Sequence, residues 1–313
     1  MNSVPRVVPA GNQRWREHRA SYRPPREPLD PRCYAVDLVS EKDAKAFVCR
    51  HHYSCSFPAS RLRVGLYRAR PATRAELVGV AVFSVPMTQA VITRWTGLPP
   101  SRGVELGRLV LLDEVEGNAE TWFLARAFRL LAATLPEVHA VVSFSDPMQR
   151  VAEDGHLVTP GHVGSCLQSF NGRHVGRSKA RTLVLDRGGR VVSDRALAKI
   201  RNDERGAGYA YSQLVAAGAP TIHPGESGRD YVSRALIEGP FRKVRHPGNL
   251  AYVWPSATAP RGVVNNFPAA LPYRKAFNTV VTARQAACCD GNSPGSSQTI
   301  EVDTVADVAR ARA

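Results

Sequence analysis

Apolar residues return at helical spacing through residues 119–135, where Phe123, Ala127, Phe128, Leu131 and Leu135 form one stripe and predict an amphipathic helix. Before it, alternation over 33–39 predicts a strand, and 41–52 reads as a helix capped by Ser40. Residues 61–68 and 76–85 are rich in Val, Leu and Tyr and are separated by a polar turn, which predicts an antiparallel hairpin. A further strand is expected over 104–112. The apolar run 139–142 continues to Ser143 and stops at Asp146-Pro147, because proline can neither donate to a ladder nor continue a helix. A short helix over 161–170 and a strand over 181–185 follow. The order β, α, β, β, β, α, β, α, β predicts an α/β (α+β) chain with a mixed, mostly antiparallel central sheet flanked by helices.

After this core the pattern changes. Residues 193–218 read as two helices across a Gly206-Ala207-Gly208 break, a hairpin whose Arg195, Lys199, Arg201 and Arg205 make a basic face. Residues 239–254 read as a basic turn and an apolar strand returning to the core. Residues 1–32 carry prolines and arginines without periodic apolar positions and are expected to be a disordered basic arm; 276–313, with CCDGNSPGSSQ, read as a linker and tail. The expected domains are therefore 1–32, a core at 33–190, the basic hairpin and return strand at 191–275, and 276–313.

Charge narrows the partner. With 42 Lys and Arg against 27 Asp and Glu, the formal net charge is +15, which favours a polyanion and makes nucleic acid the first candidate. A compositional bias toward arginine is the competing explanation. The six cysteines, Cys33, Cys49, Cys55, Cys166, Cys288 and Cys289, form no C-x-x-C pair, as expected of a reducing, cytoplasmic compartment. Neither a run of membrane-spanning length nor a signal-peptide apolar region is visible, so no membrane partner is expected.

Four clusters carry candidate chemistry: His51, His52, Tyr53 and Ser54; Glu105, Gly107 and Arg108; Ser143 and Asp146; His162 and Gly164. Ser143 and Asp146 fall at the carboxyl end of a strand, where open α/β sheets bind ligands. Strict alternation puts Glu105 and Arg108, three apart, on opposite faces of their strand. His156, His162 and His174 could ligate a metal, but match no known ligand spacing.

HHYS at 51–54, ELGRLV at 105–110, SFSDP at 143–147, GHVGSCLQSFNGRHVGRS at 161–178 and RALAKIRNDERGAGYAYSQL at 195–214 together resemble the phage Mom DNA-modification family, over about residues 35–255. The resemblance implies a GNAT-like acyltransferase fold, whose sheet splays between its fourth and fifth strands. It also implies an enzyme that modifies the exocyclic amine of adenine in phage DNA by methylcarbamoylation, protecting that DNA from host restriction in the host cytoplasm. By that analogy His52, Tyr53, Ser143 and Asp146 form the catalytic pocket, with Asp146 or His52 accepting the proton. Ser54, Glu105, Arg108, His162 and Gly164 bind substrate or donor, and Tyr53 or Phe144 stacks on the base. The implied partners are double-stranded DNA and an acyl or carbamoyl donor; an acyl-CoA-type donor and a metal ion are both open. Two departures stand out. Phe144-Ser145 replaces the family's Tyr-Ala, and EVEGNAE lacks the R-x-x-G-x-G loop with which many GNAT enzymes hold the coenzyme A pyrophosphate. The rival readings are an N-acyltransferase for a protein or small amine, and a non-catalytic DNA-binding protein.

Overall fold

Ser40 leaves the first core strand in extended geometry and its hydroxyl accepts the Asp43 N–H at 3.1 Å, so one residue ends a strand and starts a helix. The computed structural model of the chain describes residues 12–16, 19–23, 27–69 and 75–273. The first half of the chain holds β1 (Asn12–Arg16), β2 (Arg19–Arg23), β3 (Tyr34–Leu38), α1 (Glu41–His51), β4 (Ser60–Arg68), β5 (Glu76–Ser84), α2 (Ala90–Thr96), β6 (Gly103–Leu111), α3 (Ala119–Thr134) and β7 (Ala140–Ser145). The second holds β8 (Arg150–Val151), β9 (Leu157–Thr159), α4 (Ser165–Ser169), β10 (Arg173–Arg177), β11 (Arg181–Leu185), α5 (Asp194–Arg201), α6 (Ala207–Ala216), α7 (Gly228–Glu238), β12 (Arg242–His246), β13 (Leu250–Pro255) and α8 (Arg261–Asn265).

The main sheet has the order β10-β13-β7-β6-β5-β4-β3, and only the β6–β7 pair is parallel. Within it β6 is the fourth strand along the chain and β7 the fifth. Their pairing covers Gly103–Ala140, Val104–Val141 and Glu105–Val142 and then stops, although both strands run on. The expected splay is present there. One face packs α1 and α3 through Phe47, Val48, Phe123, Leu124 and Leu131; the other packs α2 through Ile92 and Trp95. Burial of these apolar faces is the main driving force for the sheet to form.

Three expectations change. The strand at 181–185 exists but lies outside the main sheet: β11 pairs with β12 in a two-stranded ribbon, while the returning β13 takes the position beside β7 and β10 the edge beyond it. Val184 of that ribbon packs with Leu197, Ile200, Leu214 and Tyr231, giving α5, α6 and α7 a core of their own. The basic residues before position 32 are not uniformly unstructured, since β1 and β2 pair and Arg14 is buried. The tail at 276–313 lies outside the described residues.

Candidate active site at the strand splay

The first cluster forms where α1 ends. The His52 N–H still donates to Val48 O at 2.9 Å, but His52 itself is extended, so HHYS turns away from the helix axis. The Ser54 N–H donates to His52 Nδ1 at 3.1 Å and the Ser54 hydroxyl lies 2.8 Å from the same nitrogen. With Nδ1 accepting, the ring proton sits on Nε2. Burial, aided by Arg108 and His162, lowers the His52 pKa to about 3, so the ring is a neutral donor. Its face lies 4.2 Å from the Tyr53 ring, and Tyr53 meets His162 edge-on at 6.3 Å. Burial also raises the Tyr53 pKa, which keeps its hydroxyl protonated.

Glu105 and Arg108 turn out to share a face. Glu105 pairs with Ser84, Leu106 with Phe83, and Arg108 with Val82, so Gly107 is an extra, bulged residue that resets the alternation. A Cβ on Gly107 would lie 2.5 Å from Ser84 Oγ, which explains glycine there. Arg108 Nε donates to Ser56 O at 2.9 Å and its terminal nitrogen to Ser56 Oγ at 2.8 Å, tying β6 to the HHYS turn. The Glu105 carboxyl has no hydrogen-bond partner among the described residues; burial raises its pKa, and Arg108 opposes that shift.

Asp146 is the anchor of the third cluster, and its main partner was not visible in the sequence. His246, fully buried at the end of β12, lies with Nε2 2.9 Å from Asp146 Oδ1 while its Nδ1 accepts the Gly248 N–H at 2.9 Å. The ring proton therefore points at the carboxylate. The Met148 N–H also donates to Oδ1 at 2.9 Å, and Arg150 lies 3.3 Å from Oδ2. Both carboxylate oxygens of Asp146 are thus engaged by partners of the chain itself. The only sequence signal for His246 was a strand-like RKVRH run ending in a histidine, one hundred residues from its partner.

Ser143 also takes a different role. Its buried hydroxyl donates to Leu106 O at 2.9 Å and links the two strands just where their ladder ends, so its proton is engaged within the sheet. Phe144 points to the other face and meets Trp95 at 6.2 Å, which removes it as a base-stacking residue. His162 stays in the site: its N–H donates to Asp146 O at 2.7 Å, and burial lowers its pKa against the pull of Asp146. Gly161 and Gly164, on either side, have φ of 69° and 78°, a left-handed conformation that favours glycine.

The arrangement thus unites His52, Tyr53, Ser54, Glu105, Arg108, Asp146, His162 and His246. Arg195, Lys199, Arg201 and Arg205 belong instead to the α5–α6 hairpin, where Glu204 binds Arg195 at 2.6 Å. Among the described residues no three His, Cys, Asp or Glu side chains are placed to hold a metal ion, so His156, His162 and His174 do not form a ligand set. No helix among them is long and apolar enough to cross a membrane.

An acyl-CoA-type donor does not fit the turn between β6 and α3, where this fold would cradle a pyrophosphate. The Gly117 N–H donates to Glu27 Oε2 at 2.8 Å, so a carboxylate of the chain already lies on that backbone donor. The buried Arg14 guanidinium donates to Leu112 O at 2.9 Å, Glu116 O at 2.9 Å and Val115 O, and pairs with Glu120 at 2.8 Å. With Asp113, Glu114 and Glu116 in the same turn, the surroundings repel a phosphate.

None of the curated proteins matches the chain. Among solved structures, a tandem GNAT protein from the clavulanic acid biosynthesis pathway, solved without AcCoA, aligns at 9% identity and a TM-score of 0.36, covering 72% of this chain and 99% of that one. The model of the Mom protein family matches residues 33–215 of the 313, more than half of the sequence, and the chain belongs to that family.

Proposed function

We propose that the chain transfers an acyl- or carbamoyl-type group to the exocyclic amine of adenine in phage DNA. Membership of the Mom family supports a DNA-modifying transferase. The finer reading rests on one observation: where β6 and β7 part, the half-buried Glu105 carboxyl has no hydrogen-bond partner among the described residues, and neutral donors lie in the same cluster. The adenine amine is a weak nucleophile because its lone pair is delocalised into the ring. It gains reactivity if its proton leaves as it attacks, and a carboxylate with a raised pKa is suited to accept that proton. The new N–C bond forms at the donor's carbonyl carbon, the bond to the leaving group breaks with its electron pair, and the amine proton passes to Glu105. Negative charge developing on the carbonyl oxygen is met by the His52 Nε2–H and the Tyr53 hydroxyl. Asp146, held by His246 and Arg150, fixes the loop that carries His162. An adenine inside a duplex must leave the stack to reach such a cleft.

The test is mass analysis of nucleosides from DNA co-expressed with the protein. A modified adenine is expected with the unaltered chain and is lost with Glu105→Gln, whose side chain keeps its shape but cannot take a proton. A soluble, folded protein that leaves the adenine pool unmodified would overturn the proposal. Acylation of a protein or small amine in the same cells would then favour the first rival; DNA binding alone would favour the second.

A further inference from the structure

We infer that duplex DNA docks through its phosphates on the two-stranded ribbon of β11 and β12, and not on the basic face of α5. This inference rests on the reading of DNA as the substrate. Residues 173–185 and 239–254, which build the ribbon and its flanks, contain Arg173, Arg177, Lys179, Arg181, Arg242, Lys243 and Arg245 and no carboxylate. Residues 194–205 of the helical hairpin carry Arg195, Lys199, Arg201 and Arg205 against Asp194, Asp203 and Glu204, so their charges nearly cancel. Glu204 also holds Arg195 directly. On the ribbon and the chain leading into it, by contrast, Arg177, Lys179, Arg181, Lys243 and Arg245 are exposed, and none has an ion-pair partner among the described residues. Like charges kept this close together weaken the fold unless a polyanion neutralises them.

Position strengthens the argument. The register sets Arg181 opposite His246, and His246 is the residue bonded to Asp146 in the candidate site. Cross-strand partners project from the same face, so Arg181 extends the side of the ribbon that meets the site. Arg242 donates to Val151 O of the short β8–β9 hairpin and fastens the ribbon to the loop after Asp146. Lys179 and Arg181 lie on that side of the ribbon and Lys243 and Arg245 on the other, so a ribbon inserted into a groove offers cations to the phosphates on both of its walls and places a flipped base near the splay. A two-stranded ribbon is also one of the shapes that the major groove, about 12 Å wide, admits.

The experiment measures binding of the full-length protein to a short duplex over a range of salt concentrations. Each lost phosphate contact reduces the slope of log affinity against log salt by about 0.9. The combined variant Arg181→Gln, Lys243→Gln and Arg245→Gln is expected to flatten that slope by roughly 2 to 3 and to weaken binding about tenfold or more at low salt. The combined variant Lys199→Gln, Arg201→Gln and Arg205→Gln is expected to keep the slope of the unaltered chain. Equal slopes for the ribbon variant and the unaltered protein, or flattening by the hairpin variant alone, would overturn the inference. The single variants Lys243→Gln and Arg245→Gln, at exposed positions, carry the same test if the combined variant fails to fold. If the unaltered protein shows no salt-sensitive duplex binding, the DNA reading itself falls; if it binds and only the ribbon substitutions are silent, the docking surface alone is wrong.

Discussion

Ser54 and the surrounding protein determine what His52 can do, because a ring whose Nδ1 is occupied and whose pKa is about 3 cannot act as a base near neutral pH. Its sign for stability follows. Between its ordinary 6.5 and about 3 the unfolded chain binds a proton that the folded chain refuses, so the His52 contribution is fully present above 6.5 and is lost as pH falls toward 3. Urea midpoints measured across that window should fall with pH for the unaltered protein and fall less for His52→Gln. Motif reading singled out His52, Tyr53, Asp146 and His162, which the fold brings together, because each sits at the end of an element whose pattern is legible. It could not find that Asp146 is already held by three donors. Hydrogen-bond saturation depends on residues brought in from far along the chain, and His246 is one of them.

Elements were legible where the pattern is local. The Ser40 and Ser193 caps, the hairpin of β4 and β5 and the stripe of α3 all follow from the residues that compose them. The bulge at Gly107 defeated a period-two reading, since one inserted residue reverses every side chain beyond it and only an isolated glycine announces it. Strand partners were not readable either: alternation marks 181–185 as a strand but does not say that β12 is its neighbour. The turn holding His162 supplies a prediction at this scale. Gly164→Ala puts a Cβ at φ 78° and 3.0 Å from the Tyr252 ring, and should cost about 1–2 kcal/mol in urea unfolding, together with modification activity. Gly208→Ala, in α6 with nothing within 4 Å of the added carbon, should instead be neutral or stabilising and serves as the comparison.

Across the whole molecule, residues distant in sequence complete what the family pattern outlines. Arg14 and Glu27 close the turn before α3 from the amino-terminal side, and His246 and β13 arrive from beyond residue 215. Between its two neighbours β7 makes three register pairs with β6 and six with β13, so most of its ladder comes from outside the matched stretch. A chain cut to residues 33–215 should therefore fail to fold, judged by circular dichroism and solubility, while one spanning 12–273 should give a cooperative transition. Without β13, β7 would be left as an edge with backbone N–H and C=O groups unpaired, the kind of surface on which strands of separate molecules pair. The portion by which this protein is recognised is thus shorter than the portion that can stand alone. A gene fragment inherited or cloned on the strength of its motifs would encode the site's histidines at 52 and 162 without the strand whose Tyr252 hydroxyl holds the carbonyl of Val163, next to His162.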